Sequence, residues 1–455
     1  MPYARRGGRD ESNYRHVTRE LAVVIAGRYA GSLRVYERGH ASFEYDGAYS
    51  GPSISVRMPV SGERFLDDVV RPWVEGLLPD NEAVRESMGK AAGLSGRDPY
   101  ALLARYGRDC PGAVQICPPE EVAGVLSLVG SYEPVSDDEI GARLLEAQSS
   151  SAPRWVGDEE SWSLGGAQGK LALARIGTGW GVCIGSAATT HILKPGVEGI
   201  SLQALDEYLC MRVAARCGLP VASVSYEEFA GVPAIVVERY DRRVDAAGGV
   251  ERLHQEDLCQ ALGYLPADKY RPTPSEVLRL LGEDRTGQSV DDFVAALFFN
   301  YLVGATDAHA KNYSIMHLAG DEFFLAPMYD VASVLPYRRL RRSPRGCAMP
   351  IGREKHFGRL AGSHIERFAN NNRLDGEACR ELMRGLALDV REAVREEVGE
   401  STRIDGVRIL GPELERTVVA NCDAMLANLA RDGRSIDLSR CAVIESGSID
   451  RAGGA

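Results

Sequence analysis

No stretch of the chain approaches the ~18 consecutive apolar residues that a membrane helix needs, so no membrane span is expected. The opening residues, Met1-Pro2-Tyr3-Ala4-Arg5-Arg6-Gly7-Gly8, are basic but no apolar stretch follows them, and a signal peptide is not expected either. The ten cysteines never form a C-x-x-C pair. Neither a zinc site nor a disulfide framework is therefore indicated, and buried free thiols in a reducing cytoplasm are the expectation. Positive charge is in deficit: 53 Lys and Arg against 64 Asp and Glu give a net charge of −11. That balance argues against general affinity for nucleic acid or an anionic membrane, while leaving room for a local basic patch. Lysine itself is scarce. The lysines are Lys90, Lys170, Lys194, Lys269, Lys311 and Lys355, and in a chain that otherwise uses arginine a retained lysine suggests a need for a compact point charge. No internal repeat is evident.

What is present is an ordinary globular composition, 44% hydrophobic and 26% charged. The 455 residues suit roughly two to four domains. After a polar start, apolar alternation over Leu21 to Ala26, Ser32 to Tyr36 and Ala41 to Tyr45, punctuated by Gly27 and Gly39, predicts a small antiparallel meander. Helices are expected around Phe65 to Glu75 and Asn81 to Met88, broken at Leu77-Leu78-Pro79-Asp80. Residues 119–162 form an acidic connecting segment. It holds one short helix behind a capping box, Ser136 with Glu139, and a linker near Ser149-Ser150-Ser151.

The most concentrated chemistry lies in Gly304-Ala305-Thr306-Asp307-Ala308-His309-Ala310-Lys311-Asn312. The helix before it carries an apolar stripe, Val294, Leu297, Phe298, Tyr301 and Leu302, which predicts a rigid buried platform. Asp307 and Asn312 stand five apart, the D-x-x-x-x-N spacing of a protein-kinase catalytic loop, in which the Asp accepts the hydroxyl proton and the Asn holds magnesium. Asp330 follows the strand-like run Phe323-Phe324-Leu325, where a kinase carries its second metal ligand. Asn312 and Asp330 are thus the expected magnesium ligands, with Asp307 as base. Upstream, Thr190 to Lys194 reads as a strand ending in a lysine, and a helix follows from about Leu202 to Cys217. Lys194 would reach the ATP phosphates and a helix acid would orient it, with Glu207 as the candidate and Asp206 as its rival. His309 either lines the nucleotide or is a buried hydrogen-bonding histidine, and Lys311 is expected on the nucleotide side. The turn Gly165-Gly166-Ala167-Gln168-Gly169-Lys170 fits neither the Walker pattern nor G-x-G-x-x-G. From the residues alone it is a hairpin turn or a phosphate cradle.

Thr306 to Asn312, with Pro327-Met328-Tyr329-Asp330 behind it, closely resembles the HipA-type toxin Ser/Thr kinases of bacterial toxin–antitoxin pairs. The resemblance extends to Ser163-Leu164-Gly165-Gly166-Ala167-Gln168-Gly169-Lys170, to Leu253-His254-Gln255-Glu256-Asp257, and to Leu77-Leu78-Pro79-Asp80 with Arg85. It implies an α+β, two-lobed protein-kinase-like core behind a β-rich N-terminal subdomain. The corresponding boundaries are 1–118 for the subdomain, 163–240 for the N-lobe, 241–440 for a helical C-lobe and 441–455 for a tail. It makes the glycine turn a phosphate loop, with Lys170 on the phosphates. It places Glu238, Arg239 and Tyr240 at the hinge against the adenine, and Tyr329 beside the nucleotide. Gln255 and Asp257 would brace the hinge and the catalytic loop, in a helix that the Leu253–Asp257 motif opens. The implied cofactors are ATP and Mg2+, and Ser163 is implied as an autophosphorylation site that switches the enzyme off. The implied partners are a protein substrate, an aminoacyl-tRNA synthetase in some relatives, and a helix-turn-helix antitoxin that brings operator DNA. Two rival readings are a catalytically dead corepressor scaffold and a metallophosphoesterase built on Asp307-Ala308-His309. A basic run, Tyr337 to Arg345, reads as a solvated face or a substrate contact, and amphipathic helices are expected from about Ala361 to Ala430.

Overall fold

The computed structural model describes residues 11–149, 155–157, 160–246, 248–337 and 346–431. The basic run after Tyr337, the tail from 441, and Ser150 and Ser151 of the expected linker lie outside these residues. The meander forms as the alternation dictates: β1 (Val17–Ile25), β2 (Arg28–Tyr36) and β3 (Ala41–Tyr45) pair antiparallel. The β1–β2 turn is made by Ala26 and Gly27, both at positive φ, as a tight hairpin requires. A fourth strand, β4 (Val114–Cys117), closes the sheet in the order β3-β2-β1-β4. Between β3 and β4 come α1 (Asp67–Gly76), α2 (Glu82–Ala91) and α3 (Pro99–Tyr106). Asn81 and Asp98 cap the last two by accepting from free backbone N–H groups.

The stretch 119–162 is not a bare linker. After α4 (Val122–Leu126) it contributes β5 (Gly130–Val135) and α5 (Asp137–Gln148), the latter started by the expected Ser136–Glu139 capping box. β5 is the edge of a six-stranded antiparallel sheet with β6 (Leu171–Ile176), β7 (Gly179–Gly185), β8 (His191–Lys194), β9 (Val224–Phe229) and β10 (Val232–Glu238). The order is β5-β7-β6-β8-β10-β9. One helix, α6 (Gln203–Arg216), packs against β9 and β10.

Strand β10 explains how the two halves join. Successive side chains of a strand point to opposite faces. Ala234 and Val236 accordingly enter one core with the N-terminal sheet, whereas Ile235 and Val237 enter a second core with α6 and the helical lobe. Burying one such aliphatic side chain contributes about 1.5–3 kcal/mol, so the alternation ties N-terminal subdomain, N-lobe and C-lobe into a continuous body.

The C-lobe follows a short hairpin, β11 (Arg242–Val244) and β12 (Val250–Arg252), and a three-stranded sheet of β13 (Gln255–Asp257), β14 (Ser314–His317) and β15 (Phe323–Leu325). The Leu253–Asp257 motif thus enters a strand before any helix. Only its last residue, Asp257, starts α7 (Leu258–Leu262), as N-cap. Then come α8 (Pro274–Leu281) and α9 (Gln288–Val303). The α9 stripe is buried as expected. Its end is fixed by Gly304 at φ +79° and by Asn421, whose amide nitrogen donates to the Tyr301 and Leu302 carbonyls at 2.9 Å. The Tyr301 carbonyl also accepts from the Gly304 N–H at 3.2 Å, so the amide supplements the backbone cap at this buried helix end. Helices Gly362–Asn372, Gly376–Glu400 and Val407–Arg431 complete the lobe. Among the described residues no helix is long and apolar enough to cross a membrane.

Candidate active site

A cavity opens between the lobes. Its walls include Leu164 to Gln168, Lys170, Lys194, Glu238 to Asp241, Gln255, Asp257, Lys311, Asn312, Tyr329 and Asp330. Residues far apart in sequence, most of them expected around a nucleotide, therefore share one surface.

The glycine turn is built by close approach. Gly166 sits at φ +98°, and a Cβ there would stand 2.7 Å from Lys170 Nζ. A Cβ on Gly169 would stand 2.1 Å from the Ala147 carbonyl at the end of α5, so no other residue fits without displacing backbone. Gly169 lies outside the cavity walls and packs against α5. Lys170 is buried. Its ammonium donates to the Gly165 carbonyl at 2.7 Å and lies over the Trp155 ring. Burial, then the nearby Lys194 charge, pushes its pKa down to about 7. Ser163 is fully buried, its hydroxyl donating to the Leu77 carbonyl at 2.8 Å.

Lys194 ends β8, and its ammonium bridges Glu207 Oε1 on α6 and Asp330 Oδ1, each at 2.7 Å. Burial opposes the charge, but Asp330 and Glu207 outweigh it and hold the ammonium protonated, above the usual lysine range. Glu207, not its rival Asp206, is therefore the acid that meets Lys194. Asp206 is buried, contacts the Cys210 thiol, and is pushed well up by desolvation. Asp330 takes a left-handed backbone (φ +60°), which costs a non-glycine residue about 1–2 kcal/mol and which Asp tolerates better than most.

The loop after α9 folds around the Asp307 carbonyl, which accepts from the His309 backbone N–H at 2.7 Å and from Asn312 Nδ2 at 2.8 Å. The Asp307 carboxylate is 68% exposed. It accepts from the Tyr270 hydroxyl and stands outside the cavity walls, open to solvent. His309 does not line the cavity. It is buried edge-on against Tyr270, and burial, with Asp307 opposing, lowers its pKa and keeps it neutral. Its Nδ1 is buried without a hydrogen-bond partner among the described residues, and Nε2 stands 3.9 Å from Asp307 Oδ2. Lys311 does line the cavity, but its ammonium pairs with Asp257 Oδ2 at 2.8 Å and with Asp80 Oδ1 at 3.6 Å. Tyr329 stacks on Tyr240, with ring centroids 5.7 Å apart, and donates to the Lys311 carbonyl. Tyr240 donates to Gln255 Oε1 at 3.2 Å, which braces the hinge.

Arg239 reaches the cavity wall, but its guanidinium does not serve a ligand. It is committed to Asp241 Oδ1 and Oδ2, Asp109 Oδ2, the Thr189 hydroxyl and the Cys110 carbonyl. Any contact it makes with a nucleotide falls to its backbone in the hinge. Arg242 and Arg252 complete this buried network on Asp109.

Asn312 and Asp330 fit a hard divalent cation. With the Asn312 amide nitrogen held by Asp307 and Asp330 Oδ1 by Lys194, Asn312 Oδ1 and Asp330 Oδ2 remain as oxygen donors on one cavity wall. Among the described residues no three His, Cys, Asp or Glu side chains converge as a metal cluster.

Sequence reasoning missed the structural parts played by Asp80, Asp109, Lys269 and Tyr270. Lys269 carried a signal, being one of the few lysines; Asp80 and Asp109 meet partners more than a hundred residues away, which no local pattern registers.

A strand lysine paired to a helix acid, a glycine turn, a hinge and an Asp–Asn loop, set around one cleft between two lobes, make this a protein-kinase-like fold. The chain belongs to the HipA family: residues 162–396 match the HipA-like C-terminal domain and residues 21–117 the HipA N-terminal domain. It is 34% identical over 406 residues to Y4mE of Sinorhizobium fredii, named as a candidate kinase, covering 86% of this chain and 95% of that one. To the serine/threonine-protein kinase toxin HipA of Shewanella oneidensis it is 29% identical over 311 residues, covering 64% and 69%. Among solved structures, it shares its fold with one described as the toxin–antitoxin system HipA, HipB and operator DNA complex of the same species. The TM-score is 0.78 at 23% identity, over 92% of this chain and all of that one.

Proposed function

We propose that the chain is an ATP- and magnesium-dependent Ser/Thr protein kinase, the toxin of a toxin–antitoxin pair, which switches itself off by phosphorylating Ser163. The observation that carries this reading is the Lys194 ammonium held between Glu207 and Asp330 at the wall of the cleft. A lysine fixed in this way is poised to exchange a carboxylate for phosphate oxygens when a nucleotide enters. The hinge, Glu238 to Tyr240, would receive the adenine, while Gly165 to Gln168 and Lys170 would receive the phosphates. A magnesium ion held by Asn312 Oδ1 and Asp330 Oδ2 would neutralise charge on the phosphate oxygens. The substrate hydroxyl oxygen attacks the γ-phosphorus, the bond from that phosphorus to the β-bridging oxygen breaks, ADP leaves, and Asp307 takes the hydroxyl proton. The exposure of Asp307 suits this role, because a protein substrate arrives from solvent.

A helix-turn-helix antitoxin, with operator DNA through it, is the partner this reading carries, and the likeness to a structure described with HipB and operator DNA supports it. The substrate would be a cytoplasmic protein, an aminoacyl-tRNA synthetase being the first to try. Phosphoproteomics of cells expressing the wild type or Asp307→Ala tests the reading. Phosphosites and growth arrest confined to the wild type support it, and identical phosphoproteomes contradict it.

A further inference from the structure

The turn between α1 and α2 belongs to the N-terminal subdomain, yet it touches the phosphate loop at several points. The Leu77 carbonyl accepts from the Ser163 hydroxyl. The Asp80 backbone N–H donates to the Gly166 carbonyl at 2.9 Å, and Asp80 Oδ1 accepts from the Gly166 N–H at 3.4 Å. Gly165 passes so close that a Cβ would stand 2.9 Å from the Gly76 carbonyl and 3.3 Å from Lys311 Nζ.

The Asp80 carboxylate, 9% exposed, also faces the C-lobe. Lys269 Nζ lies 3.3 Å from Oδ2, and Lys311 Nζ 3.6 Å from Oδ1. Lys311 belongs to the catalytic loop and Lys269 is bonded to it. Lys311 sits between Asp307 and Asn312, the Lys269 carbonyl accepts from the Ala310 N–H at 3.2 Å, and the neighbouring Tyr270 donates to Asp307. The Lys269 contact is a hydrogen-bonded ion pair and the Lys311 contact an ion pair, and burial spares both much of the screening a surface pair suffers.

We infer that Asp80 is a positioning residue for phosphoryl transfer. One buried carboxylate on the N-terminal subdomain holds the phosphate loop in its seat and fixes that seat to the catalytic loop. The subdomain is then part of the catalytic apparatus, because the loop that would cradle the phosphates is anchored on it. The catalytic half of this inference rests on the kinase reading above; the anchoring half does not.

The neighbouring residue provides the control. Asn81 caps α2, its side-chain oxygen accepting from the Ala83 N–H at 2.9 Å, and serves the helix that leads away from the loop. Asp80→Ala and Asn81→Ala in the full chain should therefore separate the carboxylate from the turn that bears it. Hydrogen exchange of residues 163–170, read without nucleotide, should be about tenfold faster in Asp80→Ala and unchanged in Asn81→Ala. In the phosphorylation assay Asp80→Ala should raise KM for Mg-ATP about tenfold, with a smaller effect on kcat, and Asn81→Ala should leave both as in wild type. Wild-type exchange in Asp80→Ala, or equal loosening in both variants, overturns the anchoring. Loosened exchange with wild-type KM and kcat overturns the positioning role. Should Asp80→Ala not fold, Lys269→Met removes a partner from the other side and must loosen the loop by itself; unchanged exchange in it also overturns the inference. A wild type with no transfer activity would defeat the kinase reading, and the exchange result would still decide the anchoring.

Discussion

The Ser163 hydroxyl donates to the Leu77 carbonyl at 2.8 Å, with the serine fully buried. No γ-phosphate can reach an oxygen in that position. Phosphorylation at Ser163 therefore requires the loop to leave its seat. Once added, a charge of about −1.5 to −2 cannot return to a pocket built for a neutral hydroxyl. Chain phosphorylated on Ser163, mapped by mass spectrometry, should show no measurable heat on calorimetric titration with Mg-ATP. Fully modified chain that binds as before would contradict this.

Losing either acid of the site should have different consequences. Asp330 pairs with Lys194 and is the proposed cation ligand, so Asp330→Ala should weaken Mg-ATP binding by about tenfold or more and remove transfer. Asp307 stands outside the cavity walls. Asp307→Ala should leave binding within about twofold and lower kcat by roughly 100-fold or more. Calorimetric affinities beside turnover rates make the comparison.

Nucleotide binding should take up a proton. Burial and the Lys194 charge bring Lys170 to a pKa of about 7, so above that pH the free site holds a largely neutral amine. An incoming triphosphate favours the ammonium, so affinity should fall as pH rises from about 7 towards the ordinary lysine value near 10. Calorimetry at about pH 8 in two buffers of different ionisation heat should report uptake, and Lys170→Met should abolish it.

Asp109 joins the N-terminal subdomain to the hinge through Arg239, Arg242 and Arg252, all buried. Asp109→Ala leaves Arg239 and Arg242 sharing Asp241, and Arg252 with no carboxylate partner in the network. The cost should be about 3–5 kcal/mol, the scale for breaking a buried charge pair from one side. The urea midpoint should drop with little change in slope. A midpoint within error of wild type would show that the network contributes little.

Much of this was legible in the sequence, for identifiable reasons. The meander, α9 and the capping box follow from local periodicity and turn chemistry, and the structure has them where the pattern puts them. Lys194, Asn312 and Asp330, which line one cavity, were legible from spacing and element order, whereas the glycine turn on the same cavity was legible only through the family resemblance. What escaped was the set of contacts between distant segments. β5 reads as acidic linker because it is an exposed edge strand whose identity comes from pairing with β7. Arg239 reads as a ligand contact because its neighbours line the hinge, whereas the direction of its side chain is set by Asp109, 130 residues earlier. Asp80 reads as turn punctuation because its partners lie 189 and 231 residues later.

Transfer of the ATP γ-phosphate to a protein hydroxyl by the Asp307 loop is the reaction proposed for this cleft. Incubation of purified wild type, Asp307→Ala and Lys194→Met with magnesium and γ-labelled ATP, followed by counting label fixed in protein, tests it most directly. Label should enter serine of the wild-type chain, none should enter without magnesium, and both variants should fall to background. Label entering Asp307→Ala at the wild-type rate, or none entering any chain, would contradict the account.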